Sequence, residues 1–286
     1  MSVDVEEHFQ VSAFDSVIDR KHWDRHPSRV ARNTERVLQL FDNHDTKATF
    51  FVLGWIAERY PSLIQRIQDA GHEIASHGFS HIRATQQTRD EFKHDVDKTK
   101  KLLEDVSGSA VKGFRAASFS IDGQNLWALD VLEEVGYQYS SSIYPIHHDS
   151  YGMPEAPQFP FKRGNGSLME IPLSTIRLLG KNIPCAGGGY FRLLPYAYFR
   201  WALRRIIQRD GQAAVFYFHP WEIDPDQPRQ TGLTLKTRVR HYTNLSRMEP
   251  RLRRLLTEFR WDRLDRIFLE SPVKLRELVI EEKRTA

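Results

Sequence analysis

Two histidines four positions apart, in Ser76-His77-Gly78-Phe79-Ser80-His81, and an acidic cluster at the start of the chain, Asp4-Val5-Glu6-Glu7, are the residues with the plainest chemistry. Imidazoles at this spacing can face one point from a helical turn or a tight loop, and a carboxylate from another strand would complete a site for a divalent cation. Three protein ligands leave a coordination position free, which suits metal-assisted hydrolysis of an amide. In such a reaction Asp4 is an available base for the attacking water, and His219, directly after an apolar run, an available acid for the leaving amine.

The elements that must position these residues alternate. Strands are predicted at residues 1–5, 47–53 (ended by Gly54), 72–76, 111–114 and 213–218. Helices are predicted at 29–42 with Ser28 as N-cap, at 61–70 with Pro61 opening and Gly71 closing it, at 89–105 capped by Thr88, at 125–134 before Gly136, and at 250–260 from Pro250. Strands separated by helices of this length imply right-handed crossovers and a parallel sheet, open or closed into a barrel. Asp4, Glu6, His77, His81, Arg115 and His219 all fall at carboxyl ends of these strands, the edge where parallel α/β folds carry their active sites. Between residues 140 and 195 the pattern loosens into Pro- and Gly-rich segments, and residues 222–250 read as a long polar excursion.

Composition sets the outer limits. A chain of 286 residues, 40% hydrophobic and 12% aromatic, can bury one large core. No apolar run reaches the roughly 20 residues of a membrane helix, and the N-terminus lacks a secretory pattern. Cys185 is the only cysteine, which excludes an internal disulfide and a cysteine-based zinc site and favours the cytoplasm. The net charge of +4 owes much to Arg200, Arg204, Arg205 and Arg209 and to Arg247, Arg251, Arg253 and Arg254. These spacings suit a solvated helix face, or a surface for acidic glycans or phospholipid head groups. No nucleic-acid-binding motif is present, so no nucleic acid is expected as a partner.

Five stretches together resemble the polysaccharide deacetylase family, the NodB-like carbohydrate esterases of family 4: Ser2-Val3-Asp4-Val5-Glu6, Ala48-Thr49-Phe50-Phe51-Val52-Leu53-Gly54, Gly71 to His81, Gly113-Phe114-Arg115, and Phe218-His219-Pro220. The block Gly187 to Tyr196 and the polar excursion after Trp221 resemble the subgroup of exosortase-associated (PEP-CTERM) exopolysaccharide loci. The resemblance implies a distorted (β/α)7 barrel over residues 1–221, with 222–286 as a C-terminal extension packed on the same domain. It implies a cation, zinc with cobalt or nickel as alternatives, held by His77, His81 and one acid. The family's acid directly after its first aspartate is replaced here by Val5, so strand alternation assigns the ligand to Glu6, with Glu7 and His8 as fallbacks. Asp4 matches the catalytic base and Arg115 the arginine beside it, while His219 would protonate the departing amine.

The chain departs from that pattern in Arg115-Ala116-Ala117-Ser118-Phe119, which lacks the family's proline and tyrosine, and at Ser140, where relatives often carry aspartate. The amide N–H of Phe119 is then the expected oxyanion donor, and Phe119, Tyr190 and Trp221 the expected sugar contacts. Met1 lies three residues before Asp4, so a truncated start, and with it a periplasmic location, stays open. The expected function is removal of N-acetyl groups from amino sugars of a polysaccharide or its precursor, with peripheral association with a membrane-bound glycan machinery as a further expectation. A small-amide hydrolase of the allantoinase or imidase kind and a catalytically impaired carbohydrate-binding protein are the alternatives.

Overall fold

The computed structural model describes residues 1–270 in full and the backbone of residues 276–278. The strands are β1 (Ser2–Val5), β2 (Thr49–Val52), β3 (Glu73–Ser76), β4 (Gly113–Phe114), β5 (Tyr139–Ser140), β6 (Phe161–Arg163), β7 (Met169–Glu170), β8 (Thr175–Leu178), β9 (Lys181–Pro184), β10 (Tyr217–Phe218) and β11 (Arg276–Leu278). The helices are α1 (Val30–Asp42), α2 (Gly54–Arg59), α3 (Pro61–Asp69), α4 (Arg89–Ser107), α5 (Trp127–Glu134), α6 (Gly188–Leu193), α7 (Tyr196–Arg204), α8 (Leu235–Tyr242), α9 (Leu245–Glu258) and α10 (Leu264–Phe268).

One curled sheet runs in the order β10-β1-β2-β3-β4-β5-β7-β6-β11. Every neighbouring pair from β10 through to β7 is parallel, which makes seven parallel strands in succession, and β6 then joins antiparallel. This is the distorted (β/α)7 barrel expected from the sequence. The first strand sits inside the sheet, registered with β2 on one side and β10 on the other, although β10 is far away in the chain. This short strand carries Asp4 and Glu6 to the barrel's rim, and burial of Val3 and Val5 holds it there.

Local chemistry differs from the sequence expectation at five places. The strand does end before Gly54, and the chain adds an unexpected short helix, α2, where a Cβ on Gly54 would lie 2.4 Å from the Phe79 ring that packs over it. The Ser28 hydroxyl does not cap α1 but donates to Glu7, and the Glu7 carboxylate instead accepts the N–H groups of Arg29 (2.8 Å) and Val30 (3.0 Å). Only Tyr217–Phe218 of the run from 213 pairs as strand, while Val215 exchanges hydrogen bonds with Ser174. The polar excursion contains α8 and the first part of α9, which begins at Leu245 with Pro250 inside, so Pro250 opens no helix. Within α9, Arg251 leaves the expected solvated stripe and donates to the carbonyls of Arg192 (3.2 Å) and Leu194 (2.9 Å), satisfying the C-terminal end of α6.

Candidate metal centre and active site

The metal-centre loop is built by backbone strain that its sequence allows. After β3 the chain turns through Gly78 at φ +73° and His81 at φ +52°, and Asp95 of α4 accepts the Phe79 N–H at 3.2 Å. A tight loop, not a helical turn, brings the two imidazoles together. One oxygen of Glu6 and one nitrogen each of His77 and His81 lie within 4.8 Å of one another, and all three residues are buried. His77 Nδ1 donates to the Arg115 carbonyl at 2.8 Å, which leaves Nε2 as a lone-pair donor.

The donor set fits a divalent cation by its chemistry. Burial, only partly offset by Asp4, takes His77 down to about 4, and burial holds His81 well below its usual value, so both rings are neutral at pH 7, the ligating form. Glu6 Oε2 is buried without a hydrogen-bond donor and lies 3.1 Å from His81 Nε2. That distance would be an ion pair only if His81 were charged, and its burial argues against that. A buried carboxylate oxygen without a hydrogen-bond partner beside two neutral imidazoles is a donor set that a divalent cation would satisfy. Burial pushes Glu6 itself up to about 7, against the pull of His219 and the Trp221 N–H, and a bound cation would favour its carboxylate.

Asp4 and Arg115 form the second part of the site. Arg115 is fully buried and donates from Nη1 to Asp4 Oδ1 at 2.5 Å. Three more of its N–H groups reach Ser2 Oγ, Ser141 O and Ser141 Oγ, each at 3.0 Å, and Phe51 stacks 4.0 Å from its guanidinium carbon. With four of its five N–H groups engaged, the guanidinium fixes one carboxylate rotamer of Asp4.

His219 lies between two carboxylates, with Nδ1 3.2 Å from Glu222 Oε2 and Nε2 3.5 Å from Glu6 Oε1. Burial pulls its pKa down, but Glu6, Glu222 and Asp4 prevail and raise it to about 9. Sequence reasoning missed the support of this ring. Glu222 Oε1 accepts from the buried Arg192 Nε at 2.9 Å, and a Cβ on Gly188 would lie 1.9 Å from Glu222 Oε2. The Gly- and Arg-containing block at 187–192 was the available signal: Gly188 makes room for the carboxylate and Arg192 neutralises it.

The site opens into a cavity of about 300 Å³ whose lining includes Asp4, Glu6, His77, His81 and His219 together with Phe119, Tyr151, Tyr190 and Tyr217. Phe119 and Tyr190 thus stand where sugar contacts were expected. Trp221 does not: it is buried between His219 and His241, ring centroids at 5.0 and 4.2 Å, and its indole N–H donates to Glu6 Oε1 at 3.2 Å. The Phe119 N–H is already given to the Ala116 carbonyl at 3.0 Å in a turn where Ser118 and Phe119 both adopt positive φ, so it is not free for an oxyanion. Ser140 hydrogen-bonds Ser142 at 2.8 Å, and the nearby buried carboxylate is Glu170 of β7, which accepts the N–H groups of Ser142 and Ile143. Of the fallback ligands, Glu7 is committed to α1, and His8 is buried outside the three-residue cluster. His148, also at the cavity, stacks on Tyr151 with ring centroids 3.9 Å apart.

Comparison with known proteins agrees with this geometry. Residues 20–140 match the family model described as polysaccharide deacetylase, and residues 141–269 match a domain of unknown function, DUF3473. A peptidoglycan-N-acetylglucosamine deacetylase of Bacillus cereus is 35% identical over 98 residues, 34% of this chain and 36% of that protein. A chitooligosaccharide deacetylase of Azorhizobium caulinodans is 34% identical over 103 residues, 36% of this chain and 46% of that protein. The matched region thus spans less than half the length of either relative. Among solved structures, a polysaccharide deacetylase homologue from Mycobacterium smegmatis superposes with a TM-score of 0.58 at 23% identity, covering 90% of this chain and 82% of its own, a likeness of fold. The polysaccharide deacetylase match thus covers residues 20–140, and the likeness to these relatives falls within roughly a third of the chain.

Proposed function

We propose that the chain is a metal-dependent hydrolase that removes N-acetyl groups from the amino sugars of a polysaccharide or its precursor, releasing acetate. The observation that carries this reading is convergence from four different strand ends: Asp4, Glu6, His77, His81 and His219 meet at one cavity, with Arg115 buried behind Asp4. Both relatives named above are deacetylases of N-acetylated amino sugars, so the reading needs only the bond they share.

Glu6, His77 and His81 would hold the cation, zinc or alternatively cobalt or nickel. When bound, the cation supplies Lewis-acid polarisation of the amide carbonyl and of an attacking water. Asp4, oriented by Arg115, accepts the water's proton. His219 carries a proton at neutral pH and delivers it to the amine nitrogen as the C–N bond breaks, so that water and amide become acetate and amine. Glu222 holds the His219 ring through Nδ1, and Phe119, Tyr151 and Tyr190 offer apolar faces to the sugar. We read residues 222–286 as an extension of the same domain, and the exosortase-associated exopolysaccharide loci as the setting.

Acetate release from N-acetylated chitooligosaccharides or peptidoglycan fragments tests the proposal. Activity is expected to disappear on chelation and return with zinc, cobalt or nickel. Asp4→Asn is expected to lower turnover by roughly 10²–10⁴-fold while the protein still binds metal. A metal-loaded protein that releases no acetate from either substrate would refute it.

A further inference from the structure

From the surface around α7 and the β8–β9 hairpin, we infer that the protein docks on an anionic lipid surface, with Leu179 and Trp201 entering the interface and the arginines of α7 facing the head groups. The surface lies outside the residues assigned to the hydrolase above, and the inference does not depend on that assignment.

Three observations carry it. First, Leu179 is fully exposed at the tip of the hairpin, in the two-residue turn Leu179-Gly180 where both residues have positive φ, +48° and +77°. Such a turn favours Asn, Asp or Gly on conformational grounds, and solvent favours a polar side chain. A branched apolar residue there satisfies neither preference and contributes nothing to the core. Second, Trp201 is 45% exposed on the outer face of α7, and an indole with one polar edge suits a membrane–water boundary. Arg205 joins the two, donating to the Arg177 carbonyl at the base of the hairpin at 3.3 Å with its guanidinium carbon 5.9 Å from the Trp201 ring. Third, the charge here is predominantly positive, with the exposed Asp210 at its edge. No Asp or Glu occurs from Thr175 to Arg209, while Arg200, Arg204, Arg205 and Arg209 line one groove with Trp201. Glu258, the carboxylate that Arg200 and Arg204 influence, is bonded by Arg254.

Apolar side chains at a protruding tip, an interfacial tryptophan and a surround of cations form the physical signature of a peripheral membrane surface, in which apolar insertion and attraction to anionic lipid add. A soluble polyanion would satisfy the arginines but would give Leu179 nothing to enter.

Co-sedimentation of the full chain with vesicles decides the matter. Binding is expected to phosphatidylcholine vesicles carrying a quarter phosphatidylglycerol, to be absent for pure phosphatidylcholine, and to weaken in roughly half-molar salt. Reversal at two positions, Arg200→Glu with Arg204→Glu, is expected to lower partitioning by at least about thirtyfold. Leu179→Asp is expected to weaken binding without altering acetate release from a soluble oligosaccharide. The vesicle-induced shift in tryptophan emission is expected to vanish in Trp201→Phe. The inference is overturned by no binding to the acidic vesicles, by an equal loss in the distant control Arg66→Glu, which would mark a mere net-charge effect, or by retention on an acidic polysaccharide resin without vesicle binding.

Discussion

Among single residues, the site separates side chains that touch the reaction from those that set them. Glu6 and Glu7 are neighbours with the same side chain, yet one faces two imidazoles and the other receives the amide N–H groups that open α1. Glu6→Gln is therefore expected to abolish tight metal binding, whereas Glu7→Gln should keep the metal and cost about 1–3 kcal/mol of stability through lost charge-assisted hydrogen bonds. Metal content and denaturant midpoints of the two variants check this, and the reverse pattern would exchange their roles. Glu222 belongs with the setting residues. Its contact with His219 Nδ1 fixes which ring nitrogen faces the cavity, so Glu222→Gln should cost roughly 10- to 100-fold in kcat with little change in KM. An unchanged kcat would show that His219 needs no such partner.

Among the elements, the block Gly187 to Leu193 shows how one segment serves two ends. Gly187, at φ +94°, lets the chain enter α6 against Tyr217, and Gly188 leaves the space that the Glu222 carboxylate fills. Gly189 meets nothing within 4 Å of where its Cβ would be. Three consecutive glycines thus predict unequal outcomes. Gly188→Ala should displace Glu222, lowering both the melting temperature and the rate of acetate release, while Gly189→Ala should leave stability nearly intact. Equal effects would mean that the block acts only as a flexible turn. The same helix ends on Arg251 of α9, so the segment supporting His219 is anchored by the region beyond residue 222.

Across the molecule as a whole, pH acts on the barrel through histidines buried as neutral rings. His72 accepts the Ala48 N–H at 3.1 Å through Nδ1 between β2 and β3. Burial first, then Lys47, Arg263 and Arg66, brings its pKa from 6.5 to about 3. Because the unfolded chain takes up this proton near 6.5 and the folded chain only near 3, the unfolded state binds more protons in between. The contribution to stability is therefore complete above about pH 6.5 and is lost as pH falls toward 3. Denaturant midpoints should drop across that window, and His72→Asn, which keeps an acceptor but does not titrate, should flatten the drop. An identical slope in the variant would place the acid sensitivity elsewhere.

Residue order was enough to read the alternation of strands and helices, the carboxyl-end placement of Asp4, Glu6, His77, His81, Arg115 and His219, and a parallel sheet, because hydrophobic period, caps and glycine stops are written locally, while its closure into a barrel came from the family resemblance. It misled at Ser28 and Pro250, where a distant partner overrides a local preference: the Glu7 carboxylate and the packing of α9. The folded contacts alone reveal that Trp221 supports Glu6 instead of lining the cavity, that the Phe119 N–H is already committed, and that Glu222 and Arg192 hold His219. Each of these depends on residues brought together from remote parts of the chain, and no local pattern records the direction in which a buried side chain finds its partner.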